Sequence, residues 1–490
     1  MFSATVLWLL LAPAAVSAAP LTALTDCLTS SAVPQLLTTN SKYALAIKPF
    51  NLRLPFTPAA VAQPTTVAQV QAAIACGVAQ NFTVTPKSGG HSYASHGLGG
   101  ENGHLMVDMK YWTNVTVDSS TQIATIGVGS RLGNVAQALY SQGGRAISHG
   151  TCPGVGIGGH VAGGGYGYIS HTQGLAMDNL VGAQMVLANG TVATLSATEN
   201  PDLFWAIRGA GASFGIITYY KFQTFAAPNS NIVYSYNIQF TAANYLALQN
   251  YANTTMPAEM NMRMFITSGG LQLEGIYYGS QSAFQAAISP ILSQVGNPYG
   301  STSTMGWIQG LSNYAYMSLT TPIDYDIFSK SLMTVAVTPA AAAAFVAYYQ
   351  NTARTVSRDW YLIIDLHGGP TSAISKVPMD STSYAHRNAL FKYEFYDRVD
   401  SGSYPSTGFS FLNGWVASLV NARKKRGQKA DGCKVPTTTF GMYINYADSS
   451  LTADQAHNSY WLTHYARLSA IKKSVDPNQV FSNPQAINSK

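Results

Sequence analysis

Two glycine-rich segments, Ser88-Gly89-Gly90-His91-Ser92-Tyr93 and the run from Gly154 to Gly165, restrict this chain more than any other feature. Without a Cβ the backbone can turn with positive φ or lie directly against another group, so main-chain N–H groups come close to a partner there. Phe82-Thr83-Val84-Thr85 reads as a strand ended by Pro86, and it delivers the chain straight into the first segment. A glycine loop after a strand invites a phosphate. The second segment also satisfies G-x-G-x-x-G at Gly154-Val155-Gly156-Ile157-Gly158-Gly159, with Asp178 following at the distance of a ribose-binding acid. A dinucleotide fold, however, needs an apolar strand before that motif and a helix after it. Here Ser148-His149-Gly150-Thr151-Cys152-Pro153 precedes and Gly163-Gly164-Gly165 interrupts any helix, so that reading is set aside. Gly211-Ala212-Ser213-Phe214-Gly215 has the spacing of a nucleophile elbow, but strand-like Ile216-Ile217-Thr218-Tyr219 follows where an elbow requires a helix.

Around these loops helices and strands alternate. Thr65-Thr66 precedes Val67, Val70 and Ile74 at helical spacing, with Gly77 as the stop. Val115-Thr116-Val117 with Ile123 to Ile126, and Met185-Val186-Leu187 with Val192-Ala193-Thr194 around Asn189-Gly190, read as hairpins. Leu132, Val135 and Leu139 form a helix ending near Gly143-Gly144. After Phe225-Ala226-Ala227-Pro228 the pattern shifts to longer strands and alanine-rich helices, such as Ala340 to Tyr349 with Thr338 as N-cap and Pro339 in the first turn. Thr452 and Gln455 form a capping box ahead of Leu462, Tyr465, Leu468 and Ile471. The fold class is therefore α+β, with a domain boundary near residue 228.

Only 10% of the 490 residues are charged while 43 are Gly and 29 are Tyr, which makes a surface of uncharged polar groups suited to a neutral partner. The net charge of +6 is dispersed; its one dense run, Arg423-Lys424-Lys425-Arg426, is too small for a nucleic-acid face. Residues 1 to 18 hold an apolar stretch too short to span a bilayer and end in Val16-Ser17-Ala18, as a signal peptide does. A secretory route exposes four sequons, at Asn81, Asn114, Asn189 and Asn253, to glycosylation. Asn114 and Asn253 are better acceptors than Asn81, which falls within a β-rich run. The four cysteines, Cys27, Cys76, Cys152 and Cys433, allow three pairings if all are bridged.

Taken together, Lys87 to Tyr93, Ser148 to Pro153, the glycines to Gly165 and Asp202-Leu203-Phe204-Trp205-Ala206-Ile207-Arg208-Gly209 resemble the FAD domain of the vanillyl-alcohol-oxidase superfamily, in its berberine-bridge-enzyme branch. The resemblance extends from Asn51-Leu52-Arg53 to Asp476-Pro477 and Phe481-Ser482-Asn483-Pro484-Gln485. Ser148 to Gly159, Asp365-Leu366-His367-Gly368-Gly369 and Asn445-Tyr446-Ala447-Asp448 are most similar to fungal gluco- and chitooligosaccharide oxidases. After the signal peptide over 1–18, the resemblance implies an FAD-binding domain over 19–228, of PCMH type over about 56–228. A substrate domain over 229–430, an antiparallel sheet backed by helices, and a C-terminal segment over 431–490 returning to the FAD domain follow.

It also implies FAD bonded twice, His91 to the 8α-methyl and Cys152 to carbon 6 of the ring. Ser88, Gly89, Gly90, Ser92, Tyr93, Gly156, Gly159, His160, Gly163, Gly165, Ile217 and Asn483 are the remaining cofactor residues, and no metal is expected. Since a sulfur on the flavin cannot bridge, the expected disulfide is Cys27–Cys76, worth about 4 kcal/mol by loop closure, and Cys433 is the odd thiol. Tyr446 is the expected general base, passing its phenol proton to Asp365 in a relay. Tyr93, Phe265, Tyr361 and Ile363 are the expected substrate contacts; Tyr361 suits a pyranose face, whereas Ile363 offers no hydrogen bond. The implied reaction is oxidation of the reducing-end hydroxyl of an oligosaccharide to a lactone, with oxygen reduced to hydrogen peroxide. The apolar residues keep a second reading open, an oxidase of a small secondary metabolite; a third is a secreted binding protein without catalysis. The expected partners are a neutral small substrate and oxygen, with no nucleic acid and no membrane, for a monomer outside the cell.

Overall fold

The computed structural model describes residues 18–489 except 316, 320–324 and 423–439. The proposed signal peptide, apart from Ala18, the basic run and Cys433 lie outside the described residues. Among the described residues the larger strands build three sheets. A four-stranded sheet has the order Gln35–Leu36, Ala60–Ala62, Leu105–Asp108, Val84–Lys87, with the last three parallel. A five-stranded antiparallel sheet has the order Val115–Val117, Ile123–Gly127, Ile216–Gln223, Leu180–Val186, Val192–Leu195 and contains both expected hairpins. An eight-stranded antiparallel sheet runs Gly300–Met305, Asn231–Ile238, Gly270–Tyr278, Arg263–Thr267, Asp359–Leu366, Phe391–Val399, Asp326–Thr334, Phe440–Gly441.

The eight-stranded sheet has two unlike faces because side chains alternate along each strand. In Asp359–Leu366 the even positions Trp360, Leu362, Ile364 and Leu366 join an apolar core. That core is completed by the helices Ala242–Thr254, Pro339–Asn351 and Ser406–Asn421. The odd positions Asp359, Tyr361, Ile363 and Asp365 point the other way, as do Arg263 and Phe265, Lys392 and Glu394, which lie beside them in register. This polar face looks toward the glycine loops.

Local signals hold where a side chain caps the backbone. Thr338 accepts from the Ala341 N–H at the start of Pro339–Asn351, and Thr452 with Gln455 forms the capping box of Ala453–Tyr460. The helix expected beyond that box is broken: Leu462 has φ +48°, and a second helix, Tyr465–Val475, follows. Gly77 is not a stop, since the helix Val67–Ala79 runs through it; a Cβ there would stand 2.7 Å from Val84 Cγ2, so glycine serves close packing on the sheet. Pro86 does not end a strand either. It lies inside Val84–Lys87, an edge strand, where a missing N–H costs no ladder bond.

Cys27 and Cys76 form a disulfide, tying the helix Ala18–Ser30 to Val67–Ala79. All four sequon asparagines are exposed, and Asn81 sits in a turn at φ +58° ahead of the strand rather than in a β-run.

Candidate active site

The two glycine segments meet backbone to backbone. A Cβ on Gly89 would lie 2.3 Å from the Gly156 N, and one on Gly156 would lie 2.2 Å from the Gly89 N, so neither position tolerates a side chain. Arg131 fastens the junction by donating from Nη1 to the Gly89 carbonyl at 2.7 Å and to the Gly154 carbonyl. Ser88 Oγ donates to the Val128 carbonyl at 2.6 Å and accepts from the Gly158 N–H at 3.3 Å. This contact brings His91 and Cys152, far apart in sequence, onto the wall of one elongated cavity of about 710 Å³.

Ser88, Gly89, Gly90, Ser92, Tyr93, Gly156, Gly159, His160, Gly163, Ile217 and Asn483 line the same cavity. Gly165 does not: its N–H donates to Tyr443 Oη at 3.1 Å, and at φ +82° it supports the loop from behind. His160 Nε2 accepts from the Gly150 N–H at 3.0 Å; burial pushes its pKa down to about 3, which keeps the ring neutral as that bond requires. The His91 ring stacks on Phe50 with centroids 4.1 Å apart. Cys152 is a free thiol in the cavity wall, its pKa raised by burial. At Gly159 an added Cβ would meet nothing within 4 Å, so this stretch of wall is bare backbone facing open space. Bare glycine backbone, a free thiol and an imidazole on one cavity are the features that a flavin dinucleotide held by both side chains requires.

Opposite the loops stands the polar face of the eight-stranded sheet. Asp365, fully buried, accepts from Arg263 Nε at 2.7 Å and from Lys392 Nζ at 2.6 Å. Burial alone would raise the Asp365 pKa, but the two cations outweigh it and hold the carboxyl below its usual range. Lys392 Nζ donates onward to Tyr446 Oη at 3.0 Å and sits 4.3 Å from the centre of the Tyr446 ring. The direct proton relay expected from Tyr446 to Asp365 is therefore corrected. Lys392 stands between them, and Asp365 positions the lysine instead of touching the phenol. Burial, followed by the charges of Glu394 and Asp365, pushes the Tyr446 pKa well above its ordinary value.

The expected substrate residues Phe265, Tyr361 and Ile363 line the cavity beside Tyr93 and Tyr446. Tyr361 stacks on Tyr396 at 4.6 Å and on Phe265 at 5.6 Å, giving a continuous aromatic wall. Tyr93 stacks on Tyr446 at 5.8 Å and donates to Glu394 Oε1 at 2.7 Å. Burial raises the Glu394 pKa, with Lys392 and the Tyr93 hydrogen bond opposing it. Arg263, Lys392 and Glu394 were missed in the sequence. For Lys392 and Glu394 the signal is the alternation in Phe391-Lys392-Tyr393-Glu394-Phe395, where charges recur at every second position of a strand otherwise aromatic. Asp178 is no ribose ligand: it accepts from Arg387 Nη1 at 2.7 Å and Nη2 at 2.6 Å.

Residues 58–196 match the FAD binding domain family, and residues 442–488 match the family described as berberine and berberine like. A xylooligosaccharide oxidase of Thermothelomyces thermophilus is 44% identical over 481 residues, covering 95% of this chain and 94% of that protein. A chitooligosaccharide oxidase of Gibberella zeae is 39% identical, covering 96% and 95%. Among solved structures, glucooligosaccharide oxidase from Acremonium strictum, described with a 6-S-cysteinyl, 8α-N1-histidyl FAD, superposes with a TM-score of 0.89. It is 36% identical, covering 96% of this chain and 99% of that one.

Proposed function

The chain belongs to the berberine-like FAD-linked oxidases that include the fungal oligosaccharide oxidases, and from that membership we propose that it oxidises the reducing-end hydroxyl of an oligosaccharide to a lactone. The observation that carries the reading is the Lys392–Tyr446 pair, set beside an aromatic wall on the cavity that also holds His91 and Cys152. His91 and Cys152 would hold FAD as its covalent anchors, and the bare backbone around the Gly89–Gly156 junction would suit its pyrophosphate. When bound, FAD would supply the two-electron acceptor for the substrate's hydride, with oxygen as the final acceptor.

The protein's own residues handle the proton. Tyr446 takes the hydroxyl proton of the sugar as the hydride departs. A phenol pushed above its ordinary pKa cannot wait as a free phenolate, so the charge must be balanced when the base forms. Lys392 supplies that balance from 3.0 Å, and Asp365 with Arg263 fixes where its ammonium stands. The pair titrates as a unit, with apparent values that belong to neither residue alone. Tyr361 and Phe265 offer flat faces to a pyranose ring and exclude water from the reacting hydroxyl.

The apolar Phe265 and Ile363 support a second reading, oxidation of a small secondary metabolite at the same site. A panel of oligosaccharides and phenolic or terpenoid alcohols, read by peroxide release, separates the two. Peroxide from oligosaccharides is the expected result, and peroxide from the second group alone defeats it. No helix among the described residues is long and apolar enough to cross a membrane. The disulfide and the exposed sequon asparagines support secretion of a protein that meets its substrate outside the cell.

A further inference from the structure

One aromatic residue that takes no part in the proton chemistry touches a flavin anchor directly. Phe50 lies on the wall of the cofactor cavity, its ring stacked on the His91 ring with centroids 4.1 Å apart and 24° between the planes. It also stacks on Tyr93, two residues further along the same loop, at 5.6 Å and 21°.

Phe50 is held from the side of the eight-stranded sheet rather than by the loop it meets. Its carbonyl accepts from the Tyr325 N–H at 3.1 Å, the Leu52 N–H donates to the Tyr325 carbonyl at 2.8 Å, and Asn51 pairs with Tyr325 as a parallel bridge. The buried Asn51 side chain is satisfied at both ends: Nδ2 donates to the Tyr93 carbonyl at 2.6 Å, and Oδ1 accepts from the Ile327 N–H at 3.3 Å. Arg53 Nε donates to the Ile327 carbonyl at 2.9 Å, and the Phe50 ring packs with Ile327 and Tyr396. These contacts fasten the segment 50–53 to the strand Asp326–Thr334, so the Phe50 ring is a fixed surface against which His91 lies.

An imidazole turns about a broad χ2 torsion, and a flat partner on its face restricts that turn. Contact on the face does not occupy the edge, where both nitrogens lie. Attachment at His91 needs one of those nitrogens to meet the 8α carbon: one N–H and one C–H bond break, one N–C bond forms, and two electrons with two protons pass by way of the flavin to oxygen, which leaves as hydrogen peroxide. Bond formation of this kind depends steeply on orientation, and a misplacement of about 1 Å costs on the order of a hundredfold in rate. Cys152 is placed by an unrelated device, a turn in which the Val155 N–H donates to the Cys152 carbonyl at 3.3 Å and the Gly154 backbone hydrogen-bonds the sulfur. We propose that Phe50 is a positioning residue for attachment of FAD at His91, holding the imidazole in orientation, and that attachment at Cys152 proceeds without it. This rests on the double attachment of the flavin and separates what prepares its two bonds.

The test reads where the flavin stays rather than turnover. His91 is the one anchor left in a Cys152→Ala background, and Cys152 the one left in a His91→Ala background. Phe50→Leu removes the flat face and keeps an apolar side chain, whereas Phe50→Tyr keeps the face. Each purified protein is measured for flavin absorbance before acid, for flavin in precipitate and filtrate after it, and for flavin mass on the peptide carrying residue 91 or 152. With Cys152→Ala, Phe50→Leu should still bind flavin before acid but lose acid-stable flavin at least about tenfold, and Phe50→Tyr should restore it. With His91→Ala, the same Phe50→Leu should keep its acid-stable flavin, which shows the fold intact. Undiminished attachment to His91 in Phe50→Leu, an equal loss in both backgrounds, or a Phe50→Tyr protein that loses as much as Phe50→Leu overturns the positioning role. Flavin released by acid from Cys152→Ala with Phe50 in place defeats the histidyl attachment itself.

Discussion

Lys392 donates to Tyr446 while being held by Asp365, so in the proposed mechanism proton acceptance, charge balance and positioning would fall to three separate residues. Tyr446→Phe removes one hydroxyl and no packing. It should leave flavin attachment intact and slow anaerobic flavin reduction by at least a hundredfold, within the range of general-base contributions. Lys392→Met removes the positive charge that favours the phenolate. In the proposed mechanism the active form of the pair is the one that has lost a proton, so kcat/KM should rise with pH, and the variant should move that rise to higher pH. A rise that stays in place would show that the ammonium is not coupled to the base. The anchors have an independent readout: after acid denaturation and filtration, colour should stay with wild type and with His91→Ala or Cys152→Ala, and pass the filter only from the double variant.

Elements decide whether those residues meet, and glycine placement gives the sharpest contrast. Gly89→Ala puts a methyl 2.3 Å from the Gly156 N and should prevent the loop junction, giving protein that neither loads flavin nor folds in good yield. Gly159→Ala adds a methyl that strikes nothing. It should leave folding intact, read by circular dichroism, while lowering flavin content, read by absorbance. The sequence made the element types legible where a side chain closes a local hydrogen bond, as Thr338 and Thr452 do. It misled where the reason for a residue is tertiary. Gly77 answers to Val84, Pro86 to an edge position, and Leu462 to a bend between two helices. The site divides the same way. His91 and Cys152 stand in contiguous motifs and could be read directly, whereas Lys392 becomes visible only when strand register sets it beside Asp365.

Across the whole molecule, widely separated segments are clamped by buried polar contacts. Arg387 grips Asp178 with both terminal nitrogens, and Tyr166 Oη donates to the Leu366 carbonyl at 2.6 Å. The Cys27–Cys76 bridge closes a 49-residue separation, which the chain-entropy account values at about 4 kcal/mol. Cys27→Ser with Cys76→Ser should therefore lower Tm measurably, while the Lys392–Tyr446 pair, remote from the bridge, keeps kcat near wild type at low temperature. An unchanged Tm would mean that the bridge adds nothing to the stability of the fold. The floor of the cofactor cavity has its own consequence. The Val84 N–H donates to the Val480 carbonyl at 2.8 Å, and Asn483 and Gln485 line the cavity that His91 and Cys152 enter from the opposite end of the chain. Both anchors precede Val480, Asn483 and Gln485 in the chain by more than 300 residues, yet those later residues help to close the chamber in which they act. Flavin attachment should therefore wait for the segment from Val480 to Gln485, and a truncation before Val480 should release a polypeptide with both anchors present and no closed chamber to use them in.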